Sequence, residues 1–156
     1  MAWIANVGEG AAEKWEAASD TVVVSITEPG RKARLPKGWA DMLRLEFQDY
    51  DPIGKDVKGP SGLYETVPVA HKSIPTDAVL FTPTMAARTV RFARKHRDKN
   101  ILVHCAAGVS RSGAVVEALL EAFPEYEDRG WDRFPNGHVK SLMKRALGLV
   151  PLGADA

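Results

Sequence analysis

The sequence has a single cysteine, and this scarcity excludes several kinds of protein. One thiol, Cys105, can form no internal disulfide and no multi-cysteine zinc cluster, which is typical of a reducing compartment. The histidines at positions 71, 96 and 138 fall into no ligand-like grouping with carboxylates or thiols. We therefore predict neither a metal nor a cofactor, and Cys105 must serve either packing or chemistry.

The sequence also lacks a charge imbalance and long apolar runs. Its 21 basic and 20 acidic residues give no sign of a nucleic-acid-coating surface or a polybasic membrane anchor. No stretch approaches the roughly 20 apolar residues of a membrane-spanning helix, and residues 1–10 show no basic region followed by an apolar run. We expect a soluble, cytoplasmic monomer that binds neither nucleic acid nor membrane.

Length and periodicity predict one α/β domain. The 156 residues suit a single domain, 1–156, with its core at about 20–150 and a flexible tail at 151–156. The predicted strands are 21–26, 42–47 and 101–104, and the predicted helices are 11–18, 83–97, 114–123 and 138–148. This alternation predicts a central, mostly parallel sheet flanked by helices. The connection at 53–75 has room for a short hairpin.

The predicted helix 83–97 carries four cations on faces other than its apolar one. They are Arg88, Arg91, Arg94 and Lys95. We interpret them as a solvated helix surface whose C-terminal cations suit the helix dipole. Binding of an acidic partner is the alternative.

The segment HCAAGVSRSG, residues 104–113, places a cysteine six positions before an arginine, between a predicted strand and a predicted helix. Five small or compact residues separate the two: Ala106, Ala107, Gly108, Val109 and Ser110. Such a loop can curl so that backbone N–H groups point inward and form an anion-binding nest at the positive end of the helix. Arg111 would close the ring with a planar, always-charged fork that holds two phosphate oxygens. We call residues 105–111 the Cys–Arg loop.

The residues of this segment suit phosphoester chemistry. Inward amides and the helix dipole favour a thiolate at Cys105, which can attack phosphorus in line to give a cysteinyl-phosphate. Ser112 can donate a hydrogen bond to the sulfur and help it leave when water attacks. Gly108 permits a turn that a larger residue would hinder, and we expect His104 to orient the loop by hydrogen bonds. An isolated buried cysteine or surface arginine would be ordinary, but the combination predicts catalysis.

HCAAGVSRSG resembles the signature phosphate-binding loop (P-loop) of the cysteine-dependent protein tyrosine and dual-specificity phosphatases. The histidine, cysteine, central glycine, arginine and following serine match in spacing and in their strand, loop and helix context. The order of TVVVSITEPG and LRLEFQDYDP before the loop is similar to compact dual-specificity phosphatases, so the resemblance covers about residues 20–150. It implies the cysteine-phosphatase fold, a phosphocysteine intermediate, and phosphate contacts from residues 106–111.

The resemblance also implies a general acid on a separate upstream loop. Asp49 follows the predicted strand 42–47 in a DYDP context similar to the family's acid loop, and it would protonate the leaving oxygen. Asp51 and Asp77 are its rivals. Asn136 resembles an asparagine that steadies the signature loop in related phosphatases, although a turn residue before a helix is an equal interpretation. The interval from Asp49 to Cys105 is longer than in the most compact relatives.

The function implied by the resemblance is hydrolysis of phosphotyrosine in phosphorylated proteins, and of phosphoserine or phosphothreonine if the pocket is shallow. Residues 106–110 contain no lysine, whereas family members that prefer phosphoinositides often place basic residues there. Three alternatives remain open. They are a phosphatase of lipids, sugars or RNA ends, a weakly active phosphate-binding pseudophosphatase, and a sulfurtransferase of the rhodanese type.

Overall fold

The computed structural model describes residues 1–52 and 74–150, together with the backbone of two strands between them. The elements in this described part are, in chain order, β1 (Trp3–Gly8), α1 (Glu9–Glu13), β2 (Thr21–Thr27), β3 (Asp41–Glu46), β4 (Lys55–Lys58), β5 (Tyr64–Val67), α2 (Pro83–Lys95), β6 (Asn100–Cys105), α3 (Arg111–Ala122), β7 (Glu127–Asp128) and α4 (Gly137–Ala146). The predicted flexible tail, 151–156, lies outside the described residues.

The described strands form one main sheet and one small hairpin. Five strands make the main sheet in the order β3-β2-β6-β1-β7, and each neighbouring pair is parallel. The predicted parallel sheet is thus confirmed. Strands β4 and β5 pair antiparallel, which confirms a hairpin inside the 53–75 connection. Because all five strands of the main sheet run the same way, their carboxyl ends meet at one edge.

The sheet is covered on both faces, which explains why its central strands are buried along almost their whole length. All seven residues of β2 are buried, as are five of the six in β6. One face packs against α2, α3 and α4, and the other packs against α1 and the side chains of Trp3, Trp15 and Trp39. Near-continuous burial of this kind is expected for a parallel sheet between two layers.

The helix ends follow the predicted capping chemistry. The Thr82 hydroxyl accepts a hydrogen bond from the backbone N–H of Met85 at 3.1 Å, with Pro83 as the first residue of α2. After α4, Gly148 adopts a φ of +74°, the left-handed conformation expected just beyond a helix. None of the helices in the described part of the chain has the length and apolar character needed to cross a bilayer.

The N-terminal region departs from the prediction in two ways. No element was predicted before residue 11, yet β1 lies beside β6 within the sheet, and its residue Ile4 belongs to the main core. The core therefore begins before residue 20. The predicted helix 11–18 is also wrong in its bounds, because α1 spans only Glu9–Glu13. Trp15 instead packs against Trp3 with ring centroids 6.0 Å apart, and this tertiary contact outweighs local helix propensity.

Candidate active site

The site is built around Cys105, the last residue of β6 at the carboxyl edge of the sheet. Strand β6 lies between β1 and β2, and Cys105 pairs in register with Gly8. The thiol is only 2% exposed. The nucleophile predicted from sequence is therefore a buried residue at the carboxyl edge of the sheet, between two neighbouring strands.

The backbone of the Cys–Arg loop turns its carbonyl groups outward to the surrounding protein. The acceptor and donor pairs are Ala106 O with Glu9 N (3.2 Å), Gly108 O with Asn6 Nδ2 (2.7 Å), Val109 O with Phe134 N (3.1 Å), and Ser110 O with Asn136 N (3.1 Å). The described residues contain no cis peptide. In a trans peptide the N–H points opposite to its C=O, so the amides that follow these carbonyls point away from those partners. This geometry can form an anion-binding nest.

Gly108 is held in a conformation and a space that exclude a side chain. Its φ is +78°, and a Cβ atom built there would lie 2.3 Å from both the Gly8 nitrogen and the Val7 carbonyl carbon. The loop therefore packs directly on the backbone of β1. This contact explains physically why the sequence has glycine at the middle of the loop.

Two hydrogen-bonding groups approach the sulfur of Cys105. The backbone N–H of Gly108 donates to Sγ at 3.3 Å, and the Ser112 hydroxyl lies 3.1 Å from Sγ. Ser112 is fully buried in the first turn of α3. The predicted pairing of Ser112 with the sulfur is present in the structure, and such contacts suit a negatively charged sulfur.

Arg111 is the first residue of α3, and it is held by one of its terminal nitrogens. Its Nη1 donates to the carbonyl oxygen of Phe47 at 2.7 Å and lies 3.2 Å from Oε1 of Glu28. The side chain is 4% exposed, and its buried Nε has no hydrogen-bond acceptor among the described residues. A buried guanidinium N–H without an acceptor is costly, so this position favours an anionic ligand.

His104 supports the loop from beneath. Its Nε2 lies 2.6 Å from the hydroxyl oxygen of Ser25 on β2, so the ring links two neighbouring strands. Its Nδ1 is 3.4 Å from the carbonyl oxygen of Cys105. Burial lowers the pKa of His104 below its ordinary value of 6.5. Burial therefore favours the neutral imidazole, in which one ring nitrogen donates a hydrogen bond and the other accepts one.

The three candidate general acids lie in different surroundings and have different hydrogen-bond partners. Asp49 is exposed after β3, and its Oδ1 accepts the Ser110 hydroxyl at 2.8 Å, which places the carboxylate beside the Cys–Arg loop. Asp51 instead accepts the backbone N–H groups of Gly137 and His138 at 2.7 and 3.1 Å, as a cap of α4. Asp77 is exposed before α2, and among the described residues it forms no hydrogen bond with the loop.

Asn136 lies where α4 begins and contacts both the acid segment and the Cys–Arg loop. Its Oδ1 accepts the N–H of Val139 at 3.0 Å and so caps α4. Its Nδ2 donates to Oδ1 of Asp49 and to the carbonyl oxygen of Tyr50, both at 2.9 Å. Since its own N–H donates to Ser110 O, Asn136 joins the acid segment, the Cys–Arg loop and α4.

Several supporting residues were not predicted from the sequence. Asn6 is fully buried within β1, where its amide donates to Gly108 O and accepts from Arg133. Glu9 forms a hydrogen-bonded ion pair with Arg31, which lowers the pKa of the Glu9 carboxyl. The only sequence signal for Asn6 is a polar residue inside an apolar run. Glu28, which faces Arg111, directly follows β2, and no local pattern in the sequence indicates that contact.

Comparison of the chain with protein-family models, with curated proteins and with solved structures finds no match in any of the three.

Proposed function

We propose that this chain is a cysteine-dependent phosphatase with a dual-specificity-like fold, which hydrolyses phosphotyrosine in proteins through a cysteinyl-phosphate intermediate. The observation that carries the proposal is the position of Cys105 Sγ. It lies at the end of a parallel strand, accepts the Gly108 N–H, and is followed by a helix that begins at Arg111. Nucleophile, anion nest and guanidinium thus belong to one short loop.

In the first step the Cys105 thiolate attacks phosphorus. The S–P bond forms while the P–O bond to the leaving group breaks, and Asp49 transfers its proton to the departing oxygen. Asp49 suits this role because it is exposed yet held by Ser110 and Asn136 at the same oxygen, Oδ1. Its carboxyl is thereby oriented beside the loop without being enclosed.

In the second step water attacks the phosphorus of the cysteinyl-phosphate. A P–O bond forms, the S–P bond breaks, and the electron pair returns to sulfur as thiolate while Asp49 takes the proton from water. Ser112 stabilises the departing sulfur, because its hydroxyl lies 3.1 Å from Sγ. The products are inorganic phosphate and the enzyme in its starting protonation state.

Arg111 would hold the phosphoryl oxygens through the part of its guanidinium that the protein leaves without acceptors. Nη1 is occupied by Phe47 O and Glu28, whereas Nε lacks an acceptor among the described residues. A phosphoryl group would supply that acceptor. Its trigonal bipyramidal transition state carries charge on equatorial oxygens, where preorganised N–H donors stabilise it most.

The burial of the thiol supports phosphotyrosine over shorter substrates. Because Cys105 is 2% exposed, a long phenyl stem reaches it more readily than a serine or threonine stem does. The residues of the loop interior, 106–110, carry no cation for the additional phosphates of a phosphoinositide. Both features favour a protein substrate with a single phosphate on an aromatic ring.

The test is hydrolysis of p-nitrophenyl phosphate and of a phosphotyrosine peptide, with Cys105→Ser as the matched variant. We expect phosphate release by the wild type and a loss of roughly 10⁴-fold or more in the variant. The rates of phosphate release from a matched phosphoserine peptide, a phosphoinositide and phosphorylated RNA ends show which substrate class is preferred. Turnover that survives in Cys105→Ser would overturn the mechanism. A wild type that retains phosphopeptide without releasing phosphate would indicate a binding module, and persulfide formation with thiosulfate would indicate sulfur transfer.

A further inference from the structure

Helix α2 presents a stripe of four exposed cations away from the active site. They are Arg88, Arg91, Arg94 and Lys95, which we call the basic stripe. At 100° per residue these positions fill a continuous arc of about a third of the helix circumference. The helix itself contains no acidic residue. The stripe is therefore a patch of one charge sign.

Within the part of the chain that the structure describes, the basic stripe has no ion-pair partner, whereas two cations of a neighbouring helix do. On the neighbouring helix α4, Lys140 lies 3.6 Å from Glu117 and Lys144 lies 3.7 Å from Glu121, both glutamates belonging to α3. Within the described residues no carboxylate lies within ion-pair distance of any member of the stripe. Like charges three or four positions apart repel each other along a helix. The cations of the basic stripe therefore repel one another without compensation from described carboxylates, whereas Lys140 and Lys144 on α4 are compensated by glutamates.

The helix dipole accounts for only part of the stripe. Cations in the last turn, Arg94 and Lys95, are stabilised by the negative end of the helix. Arg88 and Arg91 lie in the middle of α2, beyond the short range of that effect. The helix dipole therefore does not account for these two cations.

Three cations of the stripe line a groove between α2 and the end of α4. The groove has a volume of about 600 Å³ and is lined by Ala87, Val90, Arg91, Arg94, Lys95 and Ala146. Its small apolar side chains form a surface that backbone and aliphatic groups can approach closely. The cations around them supply hydrogen-bond donors for carboxylates. The groove therefore provides both an apolar surface and positive charge.

We propose that this groove binds an acidic polypeptide segment of a partner protein. Charge complementarity favours an acidic partner, because three cations that have no ion-pair partner among the described residues converge on one groove. A polypeptide fits better than a nucleic acid, since none of the six lining residues is an aromatic on which bases could stack. The proposal does not depend on the phosphatase chemistry.

The groove and the Cys–Arg loop lie at opposite ends of α4. At the start of the helix, Nε2 of His138 lies 2.8 Å from the carbonyl oxygen of Phe81, and Asn136 contacts Asp49. At the other end, Ala146 lines the groove. Ten residues of helix separate these points by about 15 Å. A bound segment would therefore leave the active site open.

The experiment measures fluorescence anisotropy of a short labelled peptide of alternating glutamate and alanine, with its glutamine and alanine counterpart as the uncharged probe. We expect the acidic peptide to bind and the uncharged peptide to bind much more weakly. The triple variant Arg91→Glu, Arg94→Glu and Lys95→Glu should weaken binding by roughly tenfold or more, because it replaces attraction by repulsion. Binding should also weaken as salt is raised.

The matched control makes the same change of charge elsewhere, at three exposed lysines: Lys14→Glu, Lys32→Glu and Lys37→Glu. We expect this control to bind the acidic peptide within about twofold of the wild type, since distant exposed charges are largely screened. Equal losses in both triple variants would overturn the proposal, as would tighter binding of an oligothymidylate than of the acidic peptide. Circular dichroism of each variant checks that α2 is retained. If the triple variant is unfolded, the single change Arg91→Glu takes its place.

Discussion

The carboxyl edge of the sheet and the outer face of α2 treat polar side chains in opposite ways. Of the ten polar or charged residues that are buried in the described part of the chain, eight lie at or near that edge: Asn6, Ser25, Thr27, His104, Ser110, Arg111, Ser112 and Asn136. The basic stripe, by contrast, is exposed and has no ion-pair partner among the described residues. One region fixes its polar groups through hydrogen bonds, and the other leaves them to solvent.

This difference in burial indicates which kind of ligand interaction the carboxyl edge and the basic stripe can each support. Buried, hydrogen-bonded donors keep their geometry and interact strongly with a ligand, because little water competes with them. Exposed cations attract partners over a longer range but discriminate weakly and respond to salt. We therefore expect substitutions at the carboxyl edge to affect catalysis and stability strongly. Substitutions on the stripe should affect only the binding of partners.

After the loss expected for Cys105→Ser, the largest effect should come from Arg111→Lys. Lysine keeps the charge but loses the planar fork, so it cannot hold Phe47 O and two phosphoryl oxygens together. We expect kcat/KM for p-nitrophenyl phosphate to fall by roughly 10³-fold and vanadate inhibition to weaken in parallel. Arg129→Lys, at an exposed ion pair with Glu127, is the control and should change activity by less than about twofold. Similar activity of the two variants would remove the basis for the phosphate clamp.

The next largest effect should be the loss of stability in Gly108→Ala. The added methyl group would meet the backbone of Val7 and Gly8 in addition to the unfavourable φ of +78°. Strain and overpacking together should cost about 3 kcal/mol of unfolding free energy. Gly148→Ala has a similar φ, +74°, but no atom within 4 Å, so it isolates the conformational cost of about 1 kcal/mol. Urea denaturation measures both, and equal costs would contradict close packing of the loop on β1.

Asp49→Asn and Asp51→Asn should separate catalysis from capping. Removing the proton donor at Asp49 should lower kcat by roughly 10²-fold for a substrate with a poor leaving group, with little change in stability. Asp51→Asn should leave kcat within a few fold but lower the unfolding free energy by about 1 kcal/mol, because Asp51 accepts two N–H groups at the start of α4. The opposite pattern would assign the acid to Asp51. Rates with phenyl phosphate and urea denaturation of both variants decide between them.

The parts that could be predicted from sequence are those with a local signal. Strand β2 follows from a β-branched run, α2 from a capping threonine before a proline, and the Cys–Arg loop from residues that are contiguous in the chain. A contiguous loop carries much of its own geometry, so inward-pointing amides and roles for Gly108 and Ser112 could be predicted before the fold was known. The distinction between Asp49 and Asp51 could not, because it depends on which backbone each carboxylate meets after folding.

The parts that could not be predicted depend on contacts between distant segments. Asn6 lies 102 residues before its acceptor Gly108 O, and nothing around Asn6 indicates that partner. Glu28 similarly meets Arg111 only because β2 and β6 are neighbours in the sheet. Strand β1 was missed because it contains a polar residue, Asn6, within its apolar run. The cost of burying that amide is offset by its hydrogen bond to the loop.

The smallest effect should be a dependence of stability on pH through His104. Burial lowers its pKa in the folded state, so below an unfolded-state pKa of about 6.5 the unfolded chain binds the proton first. Stability should therefore be full above that pH and fall as the pH drops through it, with a slope of at most about 1.4 kcal/mol per pH unit. Loss of the ion pair between Glu9 and Arg31 adds to this fall in stability only below the ordinary pKa of the Glu9 carboxyl, 4.5.

His104→Gln should make the free energy of unfolding nearly independent of pH between about 4.5 and 6.5. If that variant does not fold, the ring-proton NMR shifts of His104 in the wild type should still be those of a neutral imidazole at a pH where an exposed histidine is already protonated. An imidazolium at that pH would show that the polar groups beneath the Cys–Arg loop, like those of the basic stripe, remain accessible to solvent.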